Sequence, residues 1–193
     1  MSESKEQIPK EPTQNLTEST LDRGITPRPV GIAILTVSDS RDARTDRSGD
    51  LLVELLHQAG HRLAARGWVK DDQSQIVTQL NLWLSDPAVE VIIATGGTGV
   101  TGRDVTPEAF AQVYEKEIPG FGEIFRLLSH RIIGSSTIQS RATAGVAKGK
   151  YLFALPGSPS ACRDGWNGIL RDQLDVRHRP CNFVELMPRL EER

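Results

Sequence analysis

"VIIATGGTGVTGRDVTPEAF", residues 91–110, runs from an apolar stretch through a glycine-rich loop into a helix start. Gly97, Gly99 and Gly102 form a literal G-x-G-x-x-G. A dinucleotide fingerprint needs its last glycine at the helix N-terminus, and it needs an acid about 20 residues on, at the end of a second strand. Here the helix signal comes later. Thr106 suits the N-cap, Pro107 the first helical position, and Glu108 adds a charge that the helix dipole favours. The loop 99–105 intervenes with Arg103 and Asp104, and the downstream "YEKEIPGFGE" reads as helix and turn. These features disfavour a Rossmann loop. A Walker A loop is excluded because no Gly-Lys-Ser/Thr follows. What remains is a long glycine loop holding a cation and a carboxylate.

The surrounding chain alternates short apolar runs with amphipathic segments. "VGIAILTV" from Val30, "HRLAARGWVK", "VEVIIAT" and "KYLFAL" read as strands. Leu51, Leu52, Leu55, Leu56 and Ala59 form a helical stripe that starts at Ser48 and stops at Gly60, and Ile76, Leu80 and Leu84 repeat every four residues behind Asp72. Two more helices are expected at about residues 107–117 and 121–131, broken at Pro119-Gly120, with another starting at Ser158-Pro159. This alternation predicts an α/β fold built of right-handed βαβ units, with a mostly parallel sheet covered by helices on both faces. Ligands of such sheets bind beyond the carboxyl ends of the strands. The loops there are "SDSRDARTDRSG", "KDD", "TGGTGVTGRDVT" and "PGSPSA", which bring carboxylates, glycine amides and helix starts to one edge. Such an edge suits phosphates and Mg²⁺.

The chain has 193 residues, enough for one domain of roughly 100–200 residues and a tail. Residues 1–29 contain four prolines, many polar residues and no apolar periodicity, and they read as a disordered tail; residues 30–193 form the domain. No run approaches the roughly 18 apolar residues of a membrane span, and no signal-peptide core is visible, so a soluble, cytoplasmic protein without a membrane partner is expected. The two cysteines, Cys162 and Cys181, fit a reducing compartment. A formal net charge of −2 gives no general attraction to nucleic acid. His57 and His61 are read as surface residues, and Trp68, Trp83 and Trp166 as packing.

Five motifs in order, "LTVSDSR", "TGGTGVTGRDVTPEA", "PGFGEIFR", "STIQSRATAGV" and "LPGSPSACR", resemble the MoaB/MogA family of molybdenum cofactor biosynthesis over about residue 30 to the end, and the C-terminal "CRDGWNGILRDQLDVRHRPCNF" looks most like its MoaB branch. The resemblance implies a three-layer MogA-like domain, a homo-oligomer (trimer or hexamer) and molybdopterin binding. In active members it also implies Mg²⁺- and ATP-dependent adenylylation of the molybdopterin phosphate; the alternative is a non-catalytic carrier or scaffold. By resemblance, Asp104 and Asp71 match the two catalytic, metal-holding aspartates, although the adjacent Asp72 also fits the second place. Thr95, Gly96, Gly97, Thr98, Gly99 and Thr106 fall in the ligand loop, joined by Ser38, Asp39, Ser140, Arg141, Pro156, Gly157 and Ser158.

Each residue also has a plainer role. Asp104 alone would read as a loop carboxylate capping backbone amides, Ser38-Asp39 as ordinary turn chemistry, and Arg141 as a salt bridge. "PGFGE" reads as mainly structural, with Glu123 a minor candidate. The intact Arg103-Asp104-Val105-Thr106-Pro107 favours an active enzyme.

Overall fold

A computed structural model describes residues 20–192. In chain order the strands are β1 (Thr20–Leu21), β2 (Gly31–Val37), β3 (Arg62–Val69), β4 (Val91–Thr95), β5 (Lys116–Glu117), β6 (Thr143–Ala147), β7 (Lys150–Leu155) and β8 (His178–Arg179). The longer helices are α1 (Arg47–Gln58), α2 (Gln73–Leu84), α3 (Thr106–Ala111), α4 (Pro119–Ile133) and α5 (Pro159–Gly165). Six strands form one sheet in the order β3-β2-β4-β7-β6-β5. The first four are parallel, while β6 runs antiparallel to β7 and β5 antiparallel to β6.

Strands read as continuous apolar runs when both faces of the sheet are covered. Here alternate residues feed two separate cores. Ile32, Ile34, Val91, Ile93, Phe153 and Leu155 pack with α1, α4 and the α5 segment, whereas Ala33, Leu35, Ile92, Ala94, Leu152 and Ala154 pack with α2 and α3. The result is the expected three-layer α/β architecture with a mostly parallel sheet. Thr36, Thr95 and Leu155 lie side by side in register, so the loops after β2, β4 and β7 leave from one edge. No helix among the described residues is long and apolar enough to cross a membrane.

Several local expectations change. Lys116–Glu117 pairs with β6, so α3 stops at Ala111 and the backbone turns to the sheet edge. Pro119 then occupies the first turn of α4, where a missing N–H costs nothing; it starts that helix and does not break one. A β6–β7 hairpin, absent from the sequence expectation, turns on Lys148 and Gly149, both at positive φ as a type I′ turn requires. Residues 20–29, assigned above to the tail, sit against the domain: β1 pairs with β8, and Arg28 bonds Glu90. The rest of the proposed tail, residues 1–19, lies outside the described residues. His61 is buried, with Nδ1 accepting from the Val30 N–H, and Trp68 is partly exposed and hydrogen-bonded; neither matches its expected role. His57 is exposed, and both cysteines are free thiols.

The start of α1 also differs. Asp46, not Ser48, is the N-cap: its carboxylate accepts from the Gly49 N–H at 2.9 Å, the Thr36 hydroxyl at 2.5 Å, Arg66 at 3.0 Å and the Trp68 indole at 3.1 Å, and it is fully buried. Glycine at 49 follows from this, since a Cβ there would stand 2.2 Å from the Asp46 Oδ2. Burial alone would raise the Asp46 pKa, but these hydrogen bonds and the Arg66 charge outweigh it and hold the carboxyl below its ordinary value. Asp46→Ala removes the shared acceptor of four donors, of which Arg66 keeps Asp50, and should cost about 3 kcal/mol or more in equilibrium unfolding, while Asp46→Asn, which keeps an acceptor, should cost less. Because the folded pKa is depressed, the carboxylate's contribution is complete above its unfolded value and is lost as pH falls through the folded one. The stability gap between wild type and Asp46→Asn should therefore narrow below about pH 4. Denaturant titrations from pH 7 to pH 3 that show a constant gap would refute the role of the charge.

Candidate functional site

The sheet edge is crowded, and the crowding dictates its glycines. Gly96 and Gly97 both have positive φ. A Cβ on Gly96 would lie 2.1 Å from the Val37 carbonyl oxygen, and one on Gly97 would lie 2.4 Å from Thr106 Oγ1 and 2.9 Å from Asp71 Oδ1. Gly99 faces the Asp104 carboxylate in the same way, with Oδ2 at 2.7 Å from a notional Cβ. The glycines thus bring the loops after β2, β3 and β4 into contact. Asp71 and Asp104 meet the glycine turn at Gly97 and Gly99.

Thr106 is the first helical residue and not the expected N-cap, a position that Val105 holds without a side-chain bond. Its buried hydroxyl donates to the Gly96 carbonyl at 2.8 Å and its N–H to that of Gly97 at 3.0 Å, closing the loop on itself. Asp104 accepts from the Thr101 N–H at 2.8 Å and hydroxyl at 2.6 Å. Arg141 holds the same loop from outside. Its guanidinium donates to the Gly99 and Asp104 carbonyls, each at 2.6 Å, and pairs with Glu108.

Two hollows adjoin the glycine loop. One, of about 210 Å³, is lined by Thr98, Gly99, Ser140, Pro156 and Ser158 together with Phe125, Ser129 and Thr137. Ser158 caps α5, its hydroxyl accepting from the Ala161 N–H at 3.2 Å. The other, about 440 Å³ and more open, is lined by Thr101, Asp104, Glu108 and Arg141. A cavity of about 460 Å³ lies beside His61 and Asp175, at the amino end of β3, far from these loops in the topology. A further cavity of about 480 Å³ lies beside Ile118, Phe121 and Phe183, so size does not choose among them; the glycine loop and paired aspartates stand at the carboxyl edge, where parallel α/β sheets place ligands.

The remaining predicted residues lie outside the lining of these hollows and brace the loops. Thr95 is fully buried and donates to the Pro156 carbonyl at 3.0 Å, and Gly157 offers its carbonyl to Arg41 at 2.6 Å and Ser48 at 2.7 Å. Ser38 closes its own turn by accepting from the Ser40 and Arg41 N–H groups. Asp39 lines neither hollow; it grips the Arg103 guanidinium through both oxygens at 2.8–3.0 Å. Asp72 caps α2, with Oδ1 accepting from the Gln75 N–H at 2.9 Å, which leaves Asp71 as the acid beside the glycines. The sequence expectations missed Arg41, which ties the β2 loop to Gly157, and the α4 side of the smaller hollow. An arginine that bonds a distant carbonyl leaves no local sequence pattern.

The three carboxylates differ electrostatically. Hydrogen bonding to Arg103 lowers the Asp39 pKa. For Asp104 burial pulls upward, but the Thr101 and Gly99 donors and the Arg141 charge prevail and lower it. Asp71 is raised, first by burial and then by the Asp39 charge, with a smaller contribution from Asp104.

The family described as "Probable molybdopterin binding domain" matches residues 33–176. The chain is 47% identical over 155 residues to molybdenum cofactor biosynthesis protein B of Escherichia coli (strain K12), covering 80% of this chain and 91% of that protein. A crystal structure of a molybdenum cofactor biosynthesis protein B superposes with a TM-score of 0.79 at 38% identity, over 88% of this chain and all of the other. The tungsten cofactor synthesizing protein MoaB from Pyrococcus furiosus gives 0.67 at 33% identity, over 76% of this chain and 94% of that one.

Asp39→Asn should lower the Asp71 pKa. It removes a like charge and leaves Arg103 less neutralised, and both effects favour the Asp71 carboxylate. Carboxyl-carbon NMR titration of both proteins checks this, and an Asp71 midpoint that is unchanged or higher in the variant contradicts the assignment.

Proposed function

The chain belongs to the molybdopterin-binding domain family of molybdenum cofactor biosynthesis, and we propose that it is a molybdopterin adenylyltransferase. In the proposed reaction a terminal phosphate oxygen of molybdopterin attacks the α-phosphorus of ATP, the bond from that phosphorus to the bridging oxygen breaks, and pyrophosphate leaves. The observation that supports this is the placement of Asp71 against Gly97 and of Asp104 against Gly99, two acids at one glycine turn.

Mg²⁺ binds oxygen donors and commonly takes only one or two carboxylates, with phosphates and water completing its shell. Among the described residues no cluster of three or more acids, histidines or cysteines could hold a metal ion, so a site built from Asp71 and Asp104 would depend on substrate phosphates. The residues fit such an ion. The Asp71 charge is opposed by burial and by two neighbouring carboxylates, and a dication would relieve that opposition. When bound, Mg²⁺ supplies charge neutralisation to the phosphate oxygens. The protein's own part is to orient: the Thr106 and Arg141 bonds fix the loop, the α5 start at Ser158 faces the smaller hollow, and Thr98 and Ser140 line it. Catalysis of this type is mostly positioning and charge stabilisation.

A carrier without turnover is the second possibility, and one observation favours it: the Asp104 carboxylate is already bonded to Thr101 inside its own loop. Asp104→Asn separates the two, because the amide oxygen still accepts from Thr101 while the charge is gone. With molybdopterin, ATP and Mg²⁺, the variant should keep its fold and pterin binding and turn over at least about a hundredfold more slowly. Equal rates in wild type and variant would remove Asp104 from the chemistry, and tight pterin binding with no turnover in wild type would favour the carrier.

We also propose a homo-oligomer. Ile124, Leu127, Ile132 and Ile133 of α4, with Ile138, are 47–81% exposed, and exposed apolar side chains spread around one helix and its end are what a partner copy would cover. Ile133 also lines the smaller hollow, so a second copy that covers this end of α4 would add a wall to the site. Leu127→Asp should convert a trimer or hexamer into monomers by light scattering, whereas a monomeric wild type at micromolar concentration contradicts the proposal. The two free cysteines agree with the cytoplasmic location proposed for it.

A further inference from the structure

Three arginines reach the site edge, and their partners differ. Arg41 donates to the Gly157 carbonyl and contacts the Ser48 hydroxyl. Arg141 donates to two loop carbonyls and pairs with Glu108. Both are committed to the main chain. Arg103 is bonded, among the described residues, to Asp39 alone, and the two side chains are 66% and 46% exposed.

The site also has a charge imbalance. The Asp39 and Asp104 charges both act on Asp71, and Arg103 is the cation bonded to a carboxylate of this group, with Lys70 acting on Asp39 from farther off. A polyanion arriving beside three carboxylates needs a cation that can turn to it. Guanidinium binds phosphate in the same two-pronged manner in which it binds carboxylate, and exposed ion pairs in water are weak. Arg103 can therefore exchange partners at small cost, while Arg141 would leave the Gly99 and Asp104 carbonyls unpaired and Arg41 would give up the bond that ties the β2 loop to Gly157, leaving that carbonyl to Ser48.

We propose that Arg103 is a polyphosphate-binding residue held in reserve by Asp39: in the ligand-free protein the carboxylate occupies its guanidinium fork, and a di- or triphosphate chain displaces that carboxylate. The proposal rests on the adenylyltransferase reading for the location of a polyphosphate at this edge, but it requires no turnover. Asp39 acts here as a competitor for the cation. Its removal should strengthen phosphate binding, which separates this role from that of a ligand contact or a metal ligand.

The full chain is titrated calorimetrically with pyrophosphate in the presence of Mg²⁺, for wild type, Arg103→Gln, Asp39→Asn and the double variant. Arg103→Gln should bind about tenfold more weakly, the loss of a charge-assisted hydrogen-bonded pair. Asp39→Asn should bind about threefold or more tightly, and the double variant should match Arg103→Gln, since without the arginine there is nothing to release. Arg103→Lys, which keeps the charge without the fork, should fall between wild type and Arg103→Gln. All four should melt near the wild-type temperature because the pair is exposed. Weaker binding in Asp39→Asn would make Asp39 a ligand contact and overturn the proposal. A gain from Asp39→Asn that survives in the double variant would reduce it to a general charge effect. Absence of pyrophosphate binding in wild type overturns it as well. Pyrophosphate binding in the expected order without any adenylylation would sink the enzyme reading and leave Arg103 as assigned, whereas turnover with wild-type binding in Arg103→Gln would sink only the present proposal.

Discussion

A side-chain carbon on Gly96 would stand 2.1 Å from the carbonyl oxygen of Val37, and the rest of the site depends on that close approach. It exists because β2, β4 and β7 end in register, so three chain exits compete for one edge. Hydrogen bonds then use the contact. Thr106 returns to the Gly96 and Gly97 carbonyls, Arg141 spans Gly99 and Asp104, and Arg41 and Ser48 reach across to Gly157. A larger residue at 96 would have to separate the β2 and β4 exits, moving Asp39 and the glycine loop apart together.

The same convergence concentrates negative charge. Burial and the neighbouring carboxylates oppose the ionisation of Asp71 and raise its pKa. A carboxyl whose folded pKa is raised binds its proton more tightly when folded than when unfolded, so its ionisation at neutral pH opposes folding. Asp46 is the opposite case. Its carboxylate is also buried, but the Thr36, Gly49, Arg66 and Trp68 donors surround it, so its charge supports the fold. Two acids at neighbouring strand ends thus have opposite thermodynamic roles, and donor number explains the difference. A residue kept short of donors is one that a ligand can complete.

How far the sequence announced this varied with the range of the interactions. Asp72, Ser158 and Gly60 delimit their helices as expected, since caps and stops are decided within a few residues. Pro119, the Lys148-Gly149 turn and the Asp46 cap were not legible. Lys-Gly lacks the usual Asn-Gly signal for a type I′ turn, and "SDSRDARTDRSG" offers several capping residues. The choice of Asp46 was made by Thr36, Arg66 and Trp68, which lie 10 to 22 residues away. At the site, the order of five motifs located the acids and the glycines, but not the partners of the arginines.

Those partners decide what each arginine can do. Arg141 cannot leave without stranding the Gly99 and Asp104 carbonyls, whose positions the loop fixes, and Arg41 cannot leave without untying the β2 loop from Gly157, so both are struts although their charge suits a phosphate site. A guanidinium bonded to an exposed carboxylate leaves behind a group that water solvates well. Arg103 is of this second kind, and it stands in the loop between Thr101, which bonds Asp104, and Asp104 itself. Charge and proximity would rank the three arginines as equals. The solvation of what each would abandon separates them, and it places the mobile cation on the loop that carries the catalytic candidate.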